Sequence, residues 1–339
     1  MASLSIPRFD RHRKPAPRHP VTGQPPAAAP DSHHQADPFP APALRFHILG
    51  PLEVYRDGEP CTPTAPLQRK LLALLLLHGN ELIPVTRIID ALWGHRPPRS
   101  ALAALQMYVS AVRRVLSPGA RVRGGTRQHP VLRTQPSGYV IRVEPGQLDL
   151  HRFRSLSADG RRRVAEGRCA EAGESFRQAL AMWRGPALAD LSRSDLMERY
   201  AVPLEAERLA LLQERIGADL CQGRSLELVG ELGELSARYP LRESFHQQLM
   251  LALYLSGGRA EALQVYQRAH RIMVDEAGVE PGPGLRALQQ MILDGSAAPH
   301  PHHSAIWCPA CADRPTANCR CRRTCQAGVH HPVAVSNRW

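Results

Sequence analysis

One segment of the sequence gathers side chains that can hydrogen-bond to nucleic acid, at the spacing of a single helical face. Projected at about 100° per residue, residues 99–116 place Leu105, Val109, Val112 and Leu116 on one side, a predicted core-facing stripe. The opposite side is polar, basic and rich in small residues. Such a face can enter the major groove, where amide and guanidinium groups meet base edges and hydroxyl groups meet phosphates. Its candidate DNA contacts are Arg99, Ser100, Gln106, Met107, Ser110, Arg113 and Arg114.

Two flanking segments carry further candidates. Residues 131–134 and 139–143, joined by a Gln-Pro-Ser-Gly turn, predict a β-hairpin. A hairpin after a reading helix can contact the backbone or the minor groove of DNA. At the start of an earlier apolar helix, positive side chains and the helix dipole can clamp a phosphate. These two segments contribute Arg133, Thr134 and Ser137 from the hairpin, and Gln68, Arg69 and Lys70 from the helix.

Turn residues and periodicity indicate the elements that must position these side chains. Residues 44–50 and 52–55 are predicted to form short strands separated by a Gly-Pro turn. Helices are predicted at 66–78, 85–93 and about 98–116, and the first two are ended by glycine. Short strands, three helices and a terminal hairpin predict a winged helix-turn-helix.

The pattern from residue 148 onward is helical, and a phrase beginning Gly-Arg recurs in it. Copies occupy residues 167–172, 223–228 and 258–263, and the last two start 35 residues apart. This spacing is close to the 34-residue period of tetratricopeptide hairpins, whereas the first spacing of 56 makes the array irregular. A generic helical bundle with glycine turns is the alternative. We therefore expect a mainly α protein with a small β component, a winged helix-turn-helix followed by an all-α tetratricopeptide-like helical domain.

Composition and charge divide the chain into four segments. Residues 1–43 are rich in Pro, Ala, His and Arg, and predict a disordered leader. In residues 44–148 Lys and Arg exceed Asp and Glu by 8. In residues 149–295 the net charge is −2. This contrast is typical of a polyanion-binding module joined to a protein-binding one, although a basic segment can also serve solubility alone. Residues 296–339 predict a disordered tail rich in Cys and His.

The tail holds a second candidate site, for a metal. Its cysteines, flanked by histidines, are numerous enough to bind zinc tetrahedrally. Their spacing matches no common zinc finger, and we expect an unstructured extension with no metal and no other cofactor. The candidate ligands are Cys308, Cys311, Cys319, Cys321 and Cys325.

Several classes of protein are disfavoured by what the sequence lacks. The longest apolar stretch, Leu71 to Leu77, is too short to span a bilayer, and the N-terminus has no apolar signal region. We therefore expect a cytoplasmic protein without a membrane partner. The sequence contains no nucleophile elbow, HExxH motif, dinucleotide fingerprint or phosphate-binding GxxxxGK[ST] loop. We do not expect an enzyme.

Longer phrases of the sequence resemble a known family. The first part contains LRFHILGPLEVYRDGEP, QRKLLALLLLHGNELIPVTRIIDALWGHRPP, ALQMYVSAVRRVL and PSGYVIRV. These phrases resemble the OmpR/PhoB-type winged helix of the Streptomyces antibiotic regulatory protein (SARP) family, the AfsR/DnrI/RedD group. AMWRGPALADL, YPLRESFHQQLMLALYLSGGRAEALQVYQ and DEAGVEPGPGLRALQQMIL resemble that family's bacterial transcriptional activation domain, BTAD. Together they cover residues 44–295. The recognition helix departs from the family's common Ser-Arg-Leu-Arg-Arg at Ala111 and Val112.

The resemblance implies a transcriptional activator of a secondary-metabolite gene cluster, such as one for antibiotic biosynthesis. It also implies the partners: double-stranded promoter DNA with direct repeats, RNA polymerase holoenzyme, and a second copy of the chain on DNA. It assigns residues 44–148 to the DNA-binding domain and 149–295 to the activation domain. Two alternatives stay open, a helical-repeat scaffold and a repressor that only blocks a promoter.

Overall fold

The computed structural model describes residues 44–117, 129–191 and 195–295, without the side chains of residues 195–197. The predicted leader and the tail with its five candidate zinc ligands lie outside the described residues. Within them the chain is mainly helical with two small sheets, which confirms the predicted fold class. No helix of the described ranges is both long and apolar enough to cross a membrane.

Two three-stranded antiparallel sheets accompany the first three helices. The first sheet has the order β1-β2-β3 and pairs Leu44 with Arg56, and the second has the order β4-β6-β5 and pairs Gln135 with Gly138. The strands are β1 (Leu44–His47), β2 (Glu53–Arg56), β3 (Glu59–Pro60), β4 (Ile83–Pro84), β5 (Leu132–Gln135) and β6 (Gly138–Ile141). The helices between them are α1 (Pro66–Leu77), α2 (Val85–Trp93) and α3 (Ala101–Leu116).

These three helices match the predicted ones, with small shifts at their ends. Proline begins α1, where its missing N–H leaves no hydrogen bond unmade, and six consecutive residues, Leu71 to Leu76, are buried. Gly94 ends α2 with a positive φ of 59°. The third helix begins three residues later than predicted, because Ala101 donates to the Pro98 carbonyl in a preceding turn.

The helical half of the described chain follows from residue 149. Its helices are α4 (Asp149–Ala165), α5 (Cys169–Leu180), α6 (Asp195–Cys221), α7 (Ser225–Arg238), α8 (Glu243–Leu255), α9 (Arg259–Ile272) and α10 (Pro283–Leu293), with a π-helix at Met273–Ala277. The three Gly-Arg phrases begin in the turns before α5, α7 and α9. The 27-residue α6 lies between the first two phrases and explains their wider spacing.

A single hydrophobic cluster joins the two halves. It contains Phe46 of β1 and residues of α1, α2, α3 and the hairpin, and it continues through Phe153 and Phe176 into α4 and α5. Helices α4 and α5 approach so closely that a Cβ added at Gly160 would lie 2.3 Å from the Phe176 ring. Because the cluster crosses residue 148 without a break, the winged helix and the first helical hairpin pack as one body.

Polar groups reinforce this junction. The buried Asp149 carboxylate accepts backbone N–H groups of Ile48 (2.9 Å), Leu49 (3.0 Å) and Leu150 (2.8 Å). Burial raises the pKa of the Asp149 carboxyl, and the backbone donors oppose that rise. The Asp190 carboxylate accepts the Leu52 N–H at 2.8 Å. The loop between β1 and β2 is thus held by two carboxylates more than 90 residues away.

Further along, a buried carboxylate ties three helices together. Asp219 of α6 pairs with Arg177 of α5 at 2.9 Å, with Arg215 one turn earlier at 3.1 Å, and with Arg224 before α7. The Asp219 side chain is only 5% exposed, so these charge-assisted bonds offset the cost of its burial. This cluster fixes the turn that contains the second Gly-Arg phrase.

Candidate nucleic-acid interface

Helix α3 presents the amphipathic pattern that its sequence predicts. Leu105, Val109, Val112 and Leu116 are buried, which confirms the predicted core stripe. The opposite face is open to solvent, with Met107 65% exposed and Leu102 51% exposed. The exposed side chains of this surface, which we call the α3 face, are Leu102, Ala103, Gln106, Met107, Ser110 and Arg114.

The N-terminal end of α3 extends this surface. Arg99 and Ser100 are both exposed in the turn that precedes the helix. Ser100 occupies the N-cap position, but its side chain makes no capping hydrogen bond. Its hydroxyl and the backbone N–H groups of the first turn of α3, apart from that of Ala101, which donates to the Pro98 carbonyl, can therefore bind an anion such as a phosphate.

The hairpin of β5 and β6 lies against α3 as a wing. Its turn is connected to the start of α2, because the Val85 N–H donates to the Ser137 carbonyl at 3.0 Å. Gly138 lets β6 approach β4, since a Cβ there would lie 2.0 Å from the Ile83 carbonyl oxygen. Thr134 and Ser137 are exposed on this wing, and Arg133 is half-buried.

Adjacent arginines of α3 have different surroundings. The Arg113 guanidinium donates from Nε to the Leu132 carbonyl at 3.0 Å and from a terminal nitrogen to Thr134 Oγ1 at 2.7 Å. Burial lowers the pKa of Arg113. Arg114 is exposed on the α3 face. Arg113 therefore connects the helix to the wing, while Arg114 is available to a ligand.

His129 is a positioning residue that no pattern in the sequence indicates. Its Nε2 lies 3.2 Å from the Arg113 carbonyl oxygen, and its Nδ1 accepts the Leu132 N–H at 3.0 Å. These bonds require a neutral ring with the proton on Nε2. Burial lowers the pKa of His129, which favours the neutral form.

Arg56 supports the other end of the helix. This β2 residue donates from its guanidinium to the Val115 carbonyl of α3. Carbonyl groups of the last helical turn lack partners within the helix, and a positive charge there also complements the helix dipole. No pattern in the sequence predicts this contact, because it joins residues 59 positions apart.

The side chains of the predicted phosphate clamp at the start of α1 are hydrogen-bonded to groups outside the α3 face. Arg69 donates from Nε to Asp190 at 2.9 Å, and its terminal nitrogens donate to the Pro63 carbonyl at 3.1 Å and the Leu52 carbonyl at 3.0 Å. Lys70 donates to the Leu92 carbonyl at 3.2 Å, and Gln68 is half-buried. Arg69 thus connects α1 to the helical half, and its predicted DNA contact stays a prediction, as do those of Gln68 and Lys70.

Comparison with known proteins adds evidence from sequence and from fold. Residues 148–293 match a family model described as the bacterial transcriptional activator domain. The chain is 42% identical over 257 residues to the regulatory protein AfsR of Streptomyces coelicolor, covering 76% of this chain and 25% of AfsR. It is 38% identical over 252 residues to the regulatory protein DnrI of Streptomyces peucetius, covering 74% of this chain and 92% of DnrI. It therefore spans only a quarter of AfsR but nearly all of DnrI.

A solved structure agrees with these matches. The structure of Mycobacterium tuberculosis EmbR in complex with a low affinity phosphopeptide superimposes with a TM-score of 0.74. The superposition has 33% sequence identity and covers 79% of this chain and 69% of that one. The likeness therefore includes both the winged helix and the helices that follow it.

Proposed function

Because the chain belongs to the Streptomyces antibiotic regulatory protein family of transcriptional regulators, we propose that it is a sequence-specific, DNA-binding transcriptional activator of a secondary-metabolite gene cluster. The observation that carries this proposal is the exposed α3 face, which combines Gln106, Ser110 and Arg114 with small and apolar side chains, beside a wing that is hydrogen-bonded to the same helix. Two copies bind direct repeats in a promoter, and the helical half recruits RNA polymerase holoenzyme.

In this proposal the α3 face reads base edges in the major groove. The Gln106 amide can form two hydrogen bonds with adenine, and an arginine can do so with guanine. Met107 offers an apolar surface to the methyl group of thymine. Ser110 and Arg114, further along the face, reach base edges or phosphates according to the depth of the helix in the groove. The small Ala103 allows close approach to the DNA.

Backbone contacts position the reader without adding sequence information. Arg99 and Ser100 at the start of α3, together with Arg133 and Ser137 of the wing, supply them. Arg113 holds the wing at a set distance from the helix, and Thr134 accepts its hydrogen bond.

The shared core supports the activation step of the proposal. A polymerase bound by the helical half can be placed relative to the promoter only if the two halves do not rotate freely. The Asp149 and Asp190 contacts and the continuous hydrophobic cluster supply that rigidity. Dimerisation on DNA is proposed from the family, in which direct repeats are bound by paired copies.

The proposal is tested with the full chain and duplexes from the intergenic regions beside its own gene. We expect one duplex with direct repeats to bind more tightly than a shuffled duplex of equal composition, with affinity falling steeply as salt rises. Transcription in vitro with holoenzyme then distinguishes an activator, which raises transcript yield, from a promoter-blocking repressor, which lowers it. Indifference to every duplex at modest ionic strength would support the scaffold alternative and refute the proposal.

A further inference from the structure

A second site lies between the two halves of the described chain. A cleft of about 880 Å³ is bordered by α1 and α2 on one side and by the first turns of α6 on the other. Pockets for small molecules commonly have volumes of roughly 300–1,000 Å³. The cleft is therefore large enough for an organic ligand.

Charged side chains line this cleft unevenly. Among the described lining residues, Lys70, Arg87 and Arg199 carry positive charge, and Asp90 carries the one carboxylate. Arg87, Asp90 and Arg199 are exposed. An excess of positive charge in a concave surface attracts anions.

Aromatic rings line the cleft as well. Trp93 and Tyr200 contribute to its walls, one from each half. Tyr200 is held in place, since its hydroxyl lies 2.9 Å from His78 Nε2 and accepts from Arg87 at 3.2 Å. The same nitrogen of Arg87 lies 3.2 Å from His78 Nε2. Two aromatic side chains and a hydrogen-bonded guanidinium at one cleft suit a ligand that has both a ring and a negative charge.

The cleft lies mainly at the C-terminal end of α2, whereas the wing is joined to its N-terminal end. Of the α2 residues that line the cleft, Asp90 to Trp93 form the last turn of the helix, and only Arg87 lies nearer its start. Val85 is the residue hydrogen-bonded to the wing turn. The cleft is therefore separate from the hydrogen bond that joins α2 to the wing turn.

We propose that this cleft, formed by α1, α2 and α6, binds a small aromatic anion, with Arg87 and Arg199 on the anionic group and Trp93 and Tyr200 on the ring. A ligand held this way contacts both halves at once. The proposal does not rest on the DNA contacts, and its test measures ligand binding directly.

Phenyl phosphate is the probe, titrated calorimetrically into the full chain in a buffer without phosphate. We expect binding to one site, and at least about tenfold weaker binding by Arg199→Ala and Arg87→Ala. Asp90→Asn removes a repulsive carboxylate and should tighten binding by about threefold. The matched control is Arg271→Ala, which removes an exposed arginine of α9 and should bind as the parent does. Thermal unfolding verifies that each variant is folded.

Three further ligands refine the test. Benzoate binding with the same dependence on Arg199 would support a carboxylate as the anion. Inorganic phosphate and benzyl alcohol each lack one half of the expected ligand and should bind at least tenfold more weakly than phenyl phosphate. Inorganic phosphate binding as tightly as phenyl phosphate would overturn the aromatic part of the proposal.

Two results would overturn the proposal as a whole. The first is no saturable binding of either aromatic anion at millimolar concentration, or equal binding by the parent and the arginine variants. The second is a loss of duplex affinity in Arg199→Ala with no change in phenyl phosphate binding, which would assign the cleft to the DNA surface instead.

Discussion

Replacing Arg113 by alanine should lower stability, whereas replacing its neighbour Arg114 by alanine should weaken DNA binding. Arg113→Ala removes two hydrogen bonds that connect α3 to the wing, of 3.0 Å to the Leu132 carbonyl and 2.7 Å to Thr134. Hydrogen bonds from charged groups contribute about 1.5–3 kcal/mol each. Because Arg113 is only half-buried, we expect the lower end of that range for each bond. The loss of unfolding free energy should then be about 3 kcal/mol.

Arg114→Ala should leave stability within about 0.5 kcal/mol of the parent, as is usual for exposed positions. The Arg114→Ala substitution should weaken DNA binding instead. Loss of one phosphate contact lowers the slope of log affinity against log salt by about 1. At low salt we expect roughly tenfold weaker binding, which is about 1.4 kcal/mol.

Urea unfolding followed by circular dichroism measures the unfolding free energy of each variant. Fluorescence anisotropy with the promoter duplex at four or more salt concentrations measures the DNA affinity and its salt slope. Arg271→Ala on α9 is the control for the loss of one positive charge, and it should change neither the unfolding midpoint nor the salt slope. The assignment is wrong if Arg113→Ala unfolds at the parent's urea concentration while it reduces the salt slope as Arg114→Ala does. That result would mean that Arg113 leaves the wing and contacts DNA.

The remaining predictions concern positions that support the site. Gly138→Ala places a Cβ 2.0 Å from the Ile83 oxygen and should lower the unfolding free energy by at least about 2 kcal/mol. The control Gly230→Ala, in open space on α7, should not lower it. Equal urea midpoints for the two variants would contradict this prediction. Asp149→Ala leaves three backbone N–H groups without their acceptor and should lower the unfolding free energy by about 3 kcal/mol or more in the same assay. A loss of less than about 1 kcal/mol would show that water replaces the carboxylate. Burial lowers the pKa of His129, so the unfolded chain binds more protons and stability should fall as pH drops below about 6.5. This loss of stability at acid pH should be smaller in His129→Gln than in the parent. Identical profiles of unfolding free energy against pH for the two proteins would refute the assignment to His129.

Much of the fold is determined by patterns that lie within a few residues of each other. The buried stripe of α3 follows from the spacing of Leu105, Val109, Val112 and Leu116, which is a property of the helix alone. The wing follows from two strand-forming segments around a Pro-Ser-Gly turn, and the helical hairpins follow from recurring Gly-Arg turns. Each signal is local, so each could be predicted before any contact was known.

The roles of individual charged residues were decided by tertiary structure. Arg113 and Arg114 are chemically identical and adjacent, and only the position of the wing gives one of them two partners. Asp149 reaches backbone groups about 100 residues earlier, and Arg69 reaches Asp190 across 121 residues. Periodicity cannot predict such pairs, because they depend on how elements distant in sequence pack. The sequence by itself determined the elements and the exposed face of α3. The packing of the helical half against the winged helix decided which arginines support the structure and which remain open to a ligand, because a guanidinium group bonds to whatever acceptor the fold brings within reach.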